Sequence, residues 1–496
     1  MITKKKKVII IGAGFGGLSS AAHLAHAGYE VLVLEKNEMA GGRARVFNQE
    51  GFTFDMGPSW YMMLEYFEAF FKKYGHTSGD FYETVLLDPS YRIIYQDGTR
   101  VEISSDVEKN IALFESIEPG AGDRLRVYLK EAERKYHLST SLVLEKSINN
   151  FFDFFSFELL TKSFGLNVFQ NLDAYVRSYF KNEKLVQILE YITLFLGSSP
   201  KQLPAVYSLM NYADFIGKVW YPQGGMGKVV EGFVKACQEQ GVEFAFNQDV
   251  TSIKVENGKT SGVYVGEKFY EADYVISNAD YPFTEMRLLP KEYQTHKEAY
   301  WDKKKISPSA FLMYIGLNKK LKDVRHHNYF FRDNWAEHFK SVFEHPAWED
   351  EPSFYLCVPS VTDPSVAPAG HENLFFLVPA AAGLSDDPAF KKQYRDKMIK
   401  ALEAFLGESI SENIVYERIY TQSDFERDYH AYKGTALGMA LNLMQTGFFR
   451  PHNRSKKVKN LFYAGQYTHP GCGMAPCIIS GDNAAREIIK DHEKRA

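Results

Sequence analysis

Val8-Ile9-Ile10-Ile11 runs directly into Gly12-Ala13-Gly14-Phe15-Gly16-Gly17, and Leu18-Ser19-Ser20-Ala21-Ala22-His23-Leu24-Ala25-His26-Ala27 follows before Gly28. A β-branched run of this kind marks a buried parallel strand. The small-residue stretch reads as a helix that Gly28 stops. Glu30-Val31-Leu32-Val33-Leu34-Glu35 then reads as a second buried strand whose last residue is acidic, 18 positions beyond Gly17. Each part has a physical task. Gly12 permits a tight turn, Gly14 lets the backbone approach a pyrophosphate, and Gly17 lets helix and strand pack closely. The helix start offers free N–H groups to phosphate, and Glu35 can accept hydrogen bonds from an adenosine ribose. Strand, glycines, helix, strand and acid in register specify a dinucleotide-binding βαβ unit of the Rossmann type.

Two later stretches read as parts of the same unit. Tyr221-Pro222-Gln223-Gly224-Gly225-Met226-Gly227 opens a helix, Gln248 to Ile253 reads as a strand, and Ala272 to Asp280 reads as a strand leading back out. Near the C-terminus, Asn460 to Ala464 gives way to the glycine loop Gly465-Gln466-Tyr467-Thr468-His469-Pro470-Gly471-Cys472-Gly473, and Met474 starts a helix with Pro476 in its first turn. The positive end of that helix suits a negatively charged group of a bound ligand. The nucleotide domain is therefore expected to be discontinuous, from 1–75, 215–290 and 455–496.

Composition narrows the partners. A formal net charge of −4 over 496 residues offers no basic field, so nucleic acid is excluded as a partner and any membrane attraction must be mainly apolar. Cys237, Cys357, Cys472 and Cys477 have neither disulfide density nor paired CxxC spacing, which fits a reducing cytoplasm. Charges interrupt every apolar stretch before it reaches spanning length, and Gly12 ends the run after Lys4 to Lys7 before it could act as a signal peptide. His326 and His327 are adjacent and would point apart in a strand, and neither HExxH nor GxSxG occurs, so no metal site or nucleophile triad is assigned.

Glu35-Lys36-Asn37-Glu38-Met39-Ala40-Gly41-Gly42-Arg43 resembles the extended flavin form of the fingerprint, which implies FAD. The resemblance places Gly42 and Arg43 against the cofactor, Arg43 as a cation facing the pyrophosphate or the flavin edge. It also brings Val250 to the adenine through its backbone, although plain sheet core accounts equally for a valine there. Gly51-Phe52-Thr53-Phe54-Asp55-Met56-Gly57-Pro58, Thr362 to Gly370, Phe449-Arg450-Pro451 and Thr468 to Gly473 together resemble the bacterial phytoene desaturase family, nearly end to end. Leu64-Glu65 departs from the proline-acid pair expected at that point. The expected architecture is α/β: the Rossmann-type FAD domain, an α+β substrate domain (76–100 and 291–454), and a helical subdomain (101–214) for which membrane contact is one of two readings, with limits set by motif position.

The activity implied is desaturation of phytoene towards lycopene, by hydride transfer to FAD. Gly12, Gly14, Gly17, Glu35, Gly42, Arg43, Gly57, Pro58, Val250, Gly465, Gly473 and Met474 are the cofactor candidates. Trp60 and Tyr61 are candidates for lining an apolar channel. His469 and Thr468 are the catalytic candidates, with Tyr467 beside them, and a loop-shaping role stands as the alternative. An apolar polyene gives a protein nothing to clamp by charge, so shape must position it. The aromatic run Asn149 to Leu160 serves either as subdomain core or as a surface dipping into lipid, which would place the protein on the cytoplasmic face of the cell membrane. No second dinucleotide unit is present for a nicotinamide, so a quinone or oxygen is the expected electron acceptor. A homo-oligomer remains open.

Rival readings are a thirty-carbon or hydroxylated carotenoid as substrate, an amine or protoporphyrinogen oxidase, and a non-redox carrier of prenylated proteins. The oxidases carry an acid after the loop glycine where Gln466 follows Gly465, and the intact glycine fingerprint argues against the carrier.

Overall fold

The computed structural model describes residues 5–145, 167 and 169–494. The apolar run at the start becomes the strand Lys7–Ile11, paired in parallel with Glu30–Leu34 on one side and Tyr274–Ser277 on the other. The complete sheet runs Leu461–Tyr463, Tyr274–Ser277, Lys7–Ile11, Glu30–Leu34, Glu243–Ala245, all parallel. The strand Lys7–Ile11 is apolar and buried at every position after Lys7 because both faces of the sheet are covered. Val8 and Ile10 pack on the layer that holds the helices Phe15–His26, Met226–Glu239 and Met474–Glu493. Ile9 and Ile11 pack instead with Ile253 and Val263 of a three-stranded antiparallel sheet. Full burial of each such side chain is worth about 2 kcal/mol, so a polar residue at any position from 8 to 11 would unseat one of two layers.

The second large sheet has seven strands, ordered Ile414–Tyr420, Ser309–Leu317, Glu372–Ala380, Phe354–Cys357, His327–Phe331, Tyr91–Tyr95, Arg100–Ile103. All its pairings are antiparallel except that of His327–Phe331 with Tyr91–Tyr95. Alternation separates its faces. Phe311, Met313 and Ile315 pack with Tyr394, Met398 and Leu402 of the helix Pro388–Leu406. Ala310, Leu312, Tyr329, Tyr355 and Phe375 fall in a different cluster, shared with the helical region. That region holds the helices Val107–Ile117, Ala121–Glu145, Leu172–Tyr179, Glu183–Glu190 and Leu209–Phe215. Among the described residues no helix is long and apolar enough to cross a membrane. The aromatic stretch 149–160 lies outside the described residues.

Local expectations are corrected at three points. The strand read from Gln248 begins only at Ser252, because the chain before it crosses the end of the parallel sheet, with the Gln248 N–H donating to Glu35 O at 2.8 Å. The strand read over Ala272 to Asp280 is limited to Tyr274–Ser277. His326 and His327 do not point apart: the strand starts at His327, and the two rings meet with centroids 4.5 Å apart. At the departure Leu64-Glu65, Met63 turns with φ 59° and Leu64 takes the first position of the helix Leu64–Lys72, a place that a proline also tolerates.

Candidate functional site

A continuous cavity begins at the glycine turn and ends against the seven-stranded sheet. At the nucleotide end, a Cβ on Gly17 would stand 2.1 Å from Gly12 O, so only glycine lets helix and strand come this close. Gly42, with φ 56°, would place a Cβ 3.3 Å from the Gly14 Cα, which closes the second turn over the first. Glu35 is buried at the strand end, its Oε2 accepting from Ala13 N at 2.7 Å and its Oε1 from Asn37 N at 2.9 Å. Oε1 also accepts from Asn37 Nδ2 at 3.0 Å, so the lone pair that stays free for a ribose is on Oε2. Asp249 and Val250 stand beside it on the lining, although Val250 precedes its strand and does not belong to it.

Gly42, Arg43, Gly57, Pro58, Gly465, Gly473 and Met474 also line the cavity, beside Gly12, Gly14 and Glu35. Gly17 does not; it sits behind the turn as packing. Arg43 donates from Nη1 to Gln466 Oε1 at 3.1 Å and from Nη2 to Thr435 O at 3.2 Å, with Asp280 Oδ2 3.8 Å away. Its Nε is buried without a partner. Asp280 was not singled out from the sequence, yet it lines the cavity, and burial raises its carboxyl to about 6 against the pull of Arg43. Its signal lay in the polar residues that close the Tyr274–Ser277 strand.

The catalytic candidates separate. His469 lines the cavity, both ring nitrogens are buried without hydrogen bonds, and burial lowers the imidazole to about 4, so the ring is neutral near pH 7. Thr468 is buried off the lining, its Oγ1 donating to Gly465 O at 2.8 Å and lying 2.5 Å from Ser480 Oγ. Thr468 therefore holds the loop to the C-terminal helix and does not line the cavity. Tyr467 is likewise buried off the lining, with its hydroxyl pushed well above its ordinary range by burial.

Beyond the glycine loop the lining turns apolar. Phe331, Phe375, Leu377 and Leu312 come from one face of the large sheet, while Val206 and Met210 come from the helical region. Trp60 lines this part and stacks on His327 at 4.4 Å, whereas Tyr61 is buried behind it, its hydroxyl 2.7 Å from that of Tyr82. Cavity and open mouth together enclose about 3770 Å³ between the protein atoms.

The donor set at the glycine end fits FAD: a cradle that Cβ atoms would fill, an acid at the ribose position, a buried unpaired guanidinium nitrogen, and the first turn of Met474–Glu493 opening onto the cavity. The model of the family described as flavin containing amine oxidoreductase matches residues 15–489. A carotenoid 3,4-desaturase from Haloarcula japonica is 41% identical over 486 residues, 98% of each chain. A phytoene desaturase from Fusarium fujikuroi is 33% identical over 98% of this chain and 90% of its own. A 4,4'-diapophytoene desaturase from Staphylococcus aureus is 32% identical over 98% and 99%. Solved structures of an oxidoreductase from Methanosarcina mazei (TM-score 0.62, 17% identity, 98% and 100% covered) and of a putrescine oxidase (TM-score 0.63, 13% identity, 98% and 99% covered) share the fold. The chain thus belongs to the flavin-containing amine oxidoreductases, as an FAD-dependent enzyme of the group that includes the carotenoid desaturases.

Proposed function

We propose that the protein desaturates a carotenoid, with phytoene as the substrate. The observation that carries this reading is the apolar second half of the cavity, built from aromatic and aliphatic side chains on one sheet face and continuous with the cofactor cradle. Charged binding partners for an amine are not what such a wall offers; it holds a hydrocarbon by shape and excludes water from the reacting carbons. FAD, when bound, supplies the hydride acceptor. The chain contributes the apolar wall that lays the polyene along the cavity, the Arg43 cation beside the cofactor, and the neutral His469 ring, whose one unprotonated nitrogen takes up the proton from the neighbouring carbon to give the imidazolium. A quinone or oxygen takes the electrons onward.

This reading includes a membrane surface as the source of substrate. The cavity lining includes Ser139 and Thr140 near the end of the helix Ala121–Glu145, and Phe169 in the same region is 91% exposed. A second reading is desaturation at a carotenoid end group, favoured by the 41% identity to a protein named a carotenoid 3,4-desaturase. Both are tested by incubating the FAD-loaded protein with liposomes carrying phytoene, its thirty-carbon counterpart, or a hydroxylated carotenoid, and following visible absorbance and product by chromatography. Turnover of phytoene supports the first reading and turnover of the hydroxylated substrate alone supports the second; an enzyme that reduces its flavin with a polyamine and with no carotenoid refutes both.

A further inference from the structure

Behind the cavity wall, the start of the strand His327–Phe331 gathers three metal-ligand side chains. His327 is paired across the ladder with Cys357, so both side chains leave the same face of the sheet. His326 precedes the strand and turns its ring onto that of His327. One ring nitrogen of each histidine and the Cys357 Sγ all lie within 4.8 Å of one another, and all three residues are buried. Nδ1 of His326 is 2.8 Å from Thr362 Oγ1, and Nδ1 of His327 is 2.6 Å from Tyr355 Oη. Nε2 of both rings is buried with no partner.

Buried ring nitrogens are mostly hydrogen-bonded, and here two adjacent histidines beside a buried thiol each keep one without a partner. A hydroxyl on each Nδ1 fixes the orientation of the ring and leaves Nε2 to give, as the outer partners of metal-bound histidines do. Two imidazoles and a thiolate are a donor set for zinc. We propose that His326, His327 and Cys357 bind one divalent transition-metal ion of the zinc type, at a site separate from the cofactor cavity. Burial and the Asp55 carboxylate push the Cys357 thiol up, so the ion enters by displacing the thiol proton: the S–H bond breaks, the S–metal bond forms, and one proton is released for each ion bound. The ion fixes the His327 ring, on which Trp60 of the cavity wall is stacked at 4.4 Å.

The test uses the full-length, tag-free, FAD-loaded protein. It is titrated with Zn²⁺ in weakly buffered solution, desalted, analysed for retained zinc, and examined by zinc K-edge X-ray absorption. The expected result is one zinc per chain, one proton released per zinc, and a first shell of two imidazoles with one sulfur at about 2.3 Å. Cys357→Ser should lose the sulfur scatterer and weaken binding at least tenfold. A wild-type protein that retains no zinc, or a first shell without sulfur, overturns the proposal whatever the variant does. Zinc retained equally by Cys357→Ser and His326→Gln overturns it too.

Discussion

Gly481→Ala should loosen the cofactor end of the molecule without touching the cofactor. Gly481 lies in the helix Met474–Glu493 where it crosses Phe15–His26, and a Cβ there would stand 2.2 Å from Gly16 O and 2.8 Å from Ser19 Cβ. An ordinary carbon–oxygen contact is about 3.4 Å, so one helix must move by roughly 1 Å. The crossing is also tied by Ser19 Oγ donating to Ile478 O at 2.8 Å and by Ser20 Oγ, which lies 2.7 Å from Gly16 O and 3.0 Å from Gly481 O. Overpacking costs about 2 kcal/mol, and stretching one or two buried hydrogen bonds adds about 1 kcal/mol, for a loss of about 3 kcal/mol. Both helices begin on the cavity, so the same movement displaces the glycine turn from the first turn of the C-terminal helix, and FAD affinity should fall at least tenfold. Urea unfolding reads the first effect and a flavin-fluorescence titration the second. Gly79→Ala is the control: its added Cβ meets only Thr77 Oγ1, at 3.7 Å, and stability should be unchanged or slightly raised. A Gly481→Ala protein with wild-type urea midpoint and wild-type FAD affinity would refute the close-crossing argument.

His469→Gln should make the protein less sensitive to acid. The folded state holds the imidazole at about 4 while the unfolded chain protonates near its ordinary 6.5. Between those values the unfolded state binds more protons, so stability falls as pH drops from about 6.5 to about 4, with about 2 kcal/mol lost by pH 5. Comparing urea unfolding at pH 7 and pH 5, the variant should lose less by that amount; an identical loss would mean the ring is not buried as described. Arg43→Gln should weaken FAD binding about tenfold or more by removing a charge-assisted donor, read by fluorescence titration, and an unchanged affinity would remove Arg43 from the cofactor site. Trp60→Ala empties one side of the apolar wall, costing about 3 kcal/mol of stability and at least tenfold in carotenoid turnover while leaving FAD affinity intact. Equal turnover would place the substrate elsewhere.

The two halves of the cavity differ in how far the sequence discloses them, and the difference is physical. The cofactor end depends on neighbours in the chain: a turn that needs Gly12, a contact between Gly17 and the Gly12 carbonyl five residues away, an acid at the end of the next strand. Such features leave a local imprint. The substrate end depends on register between distant strands, and Ser309–Leu317, buried at every position, gives no alternation from which its cavity-facing side could be read. Thr468 shows the same limit on a small scale. Its place in the glycine loop suggested chemistry, but the position of Ser480 twelve residues on decides that its hydroxyl is spent on structure. The histidine pair failed for a related reason, since opposite orientation presumes that both residues lie within the strand, and the strand begins between them. The proposed function assigns substrate choice to this second half. Relatives that match nearly the whole chain carry names that cite different carotenoids, and on the proposed reading the discrimination among them falls to the lengths and bulk of side chains such as Trp60, Phe331, Phe375 and Met210 that shape the far wall. No single one of them is a motif. Their effect is the volume that they leave together, which is why the desaturation substrate has to be read by exchanging wall residues and counting the double bonds formed.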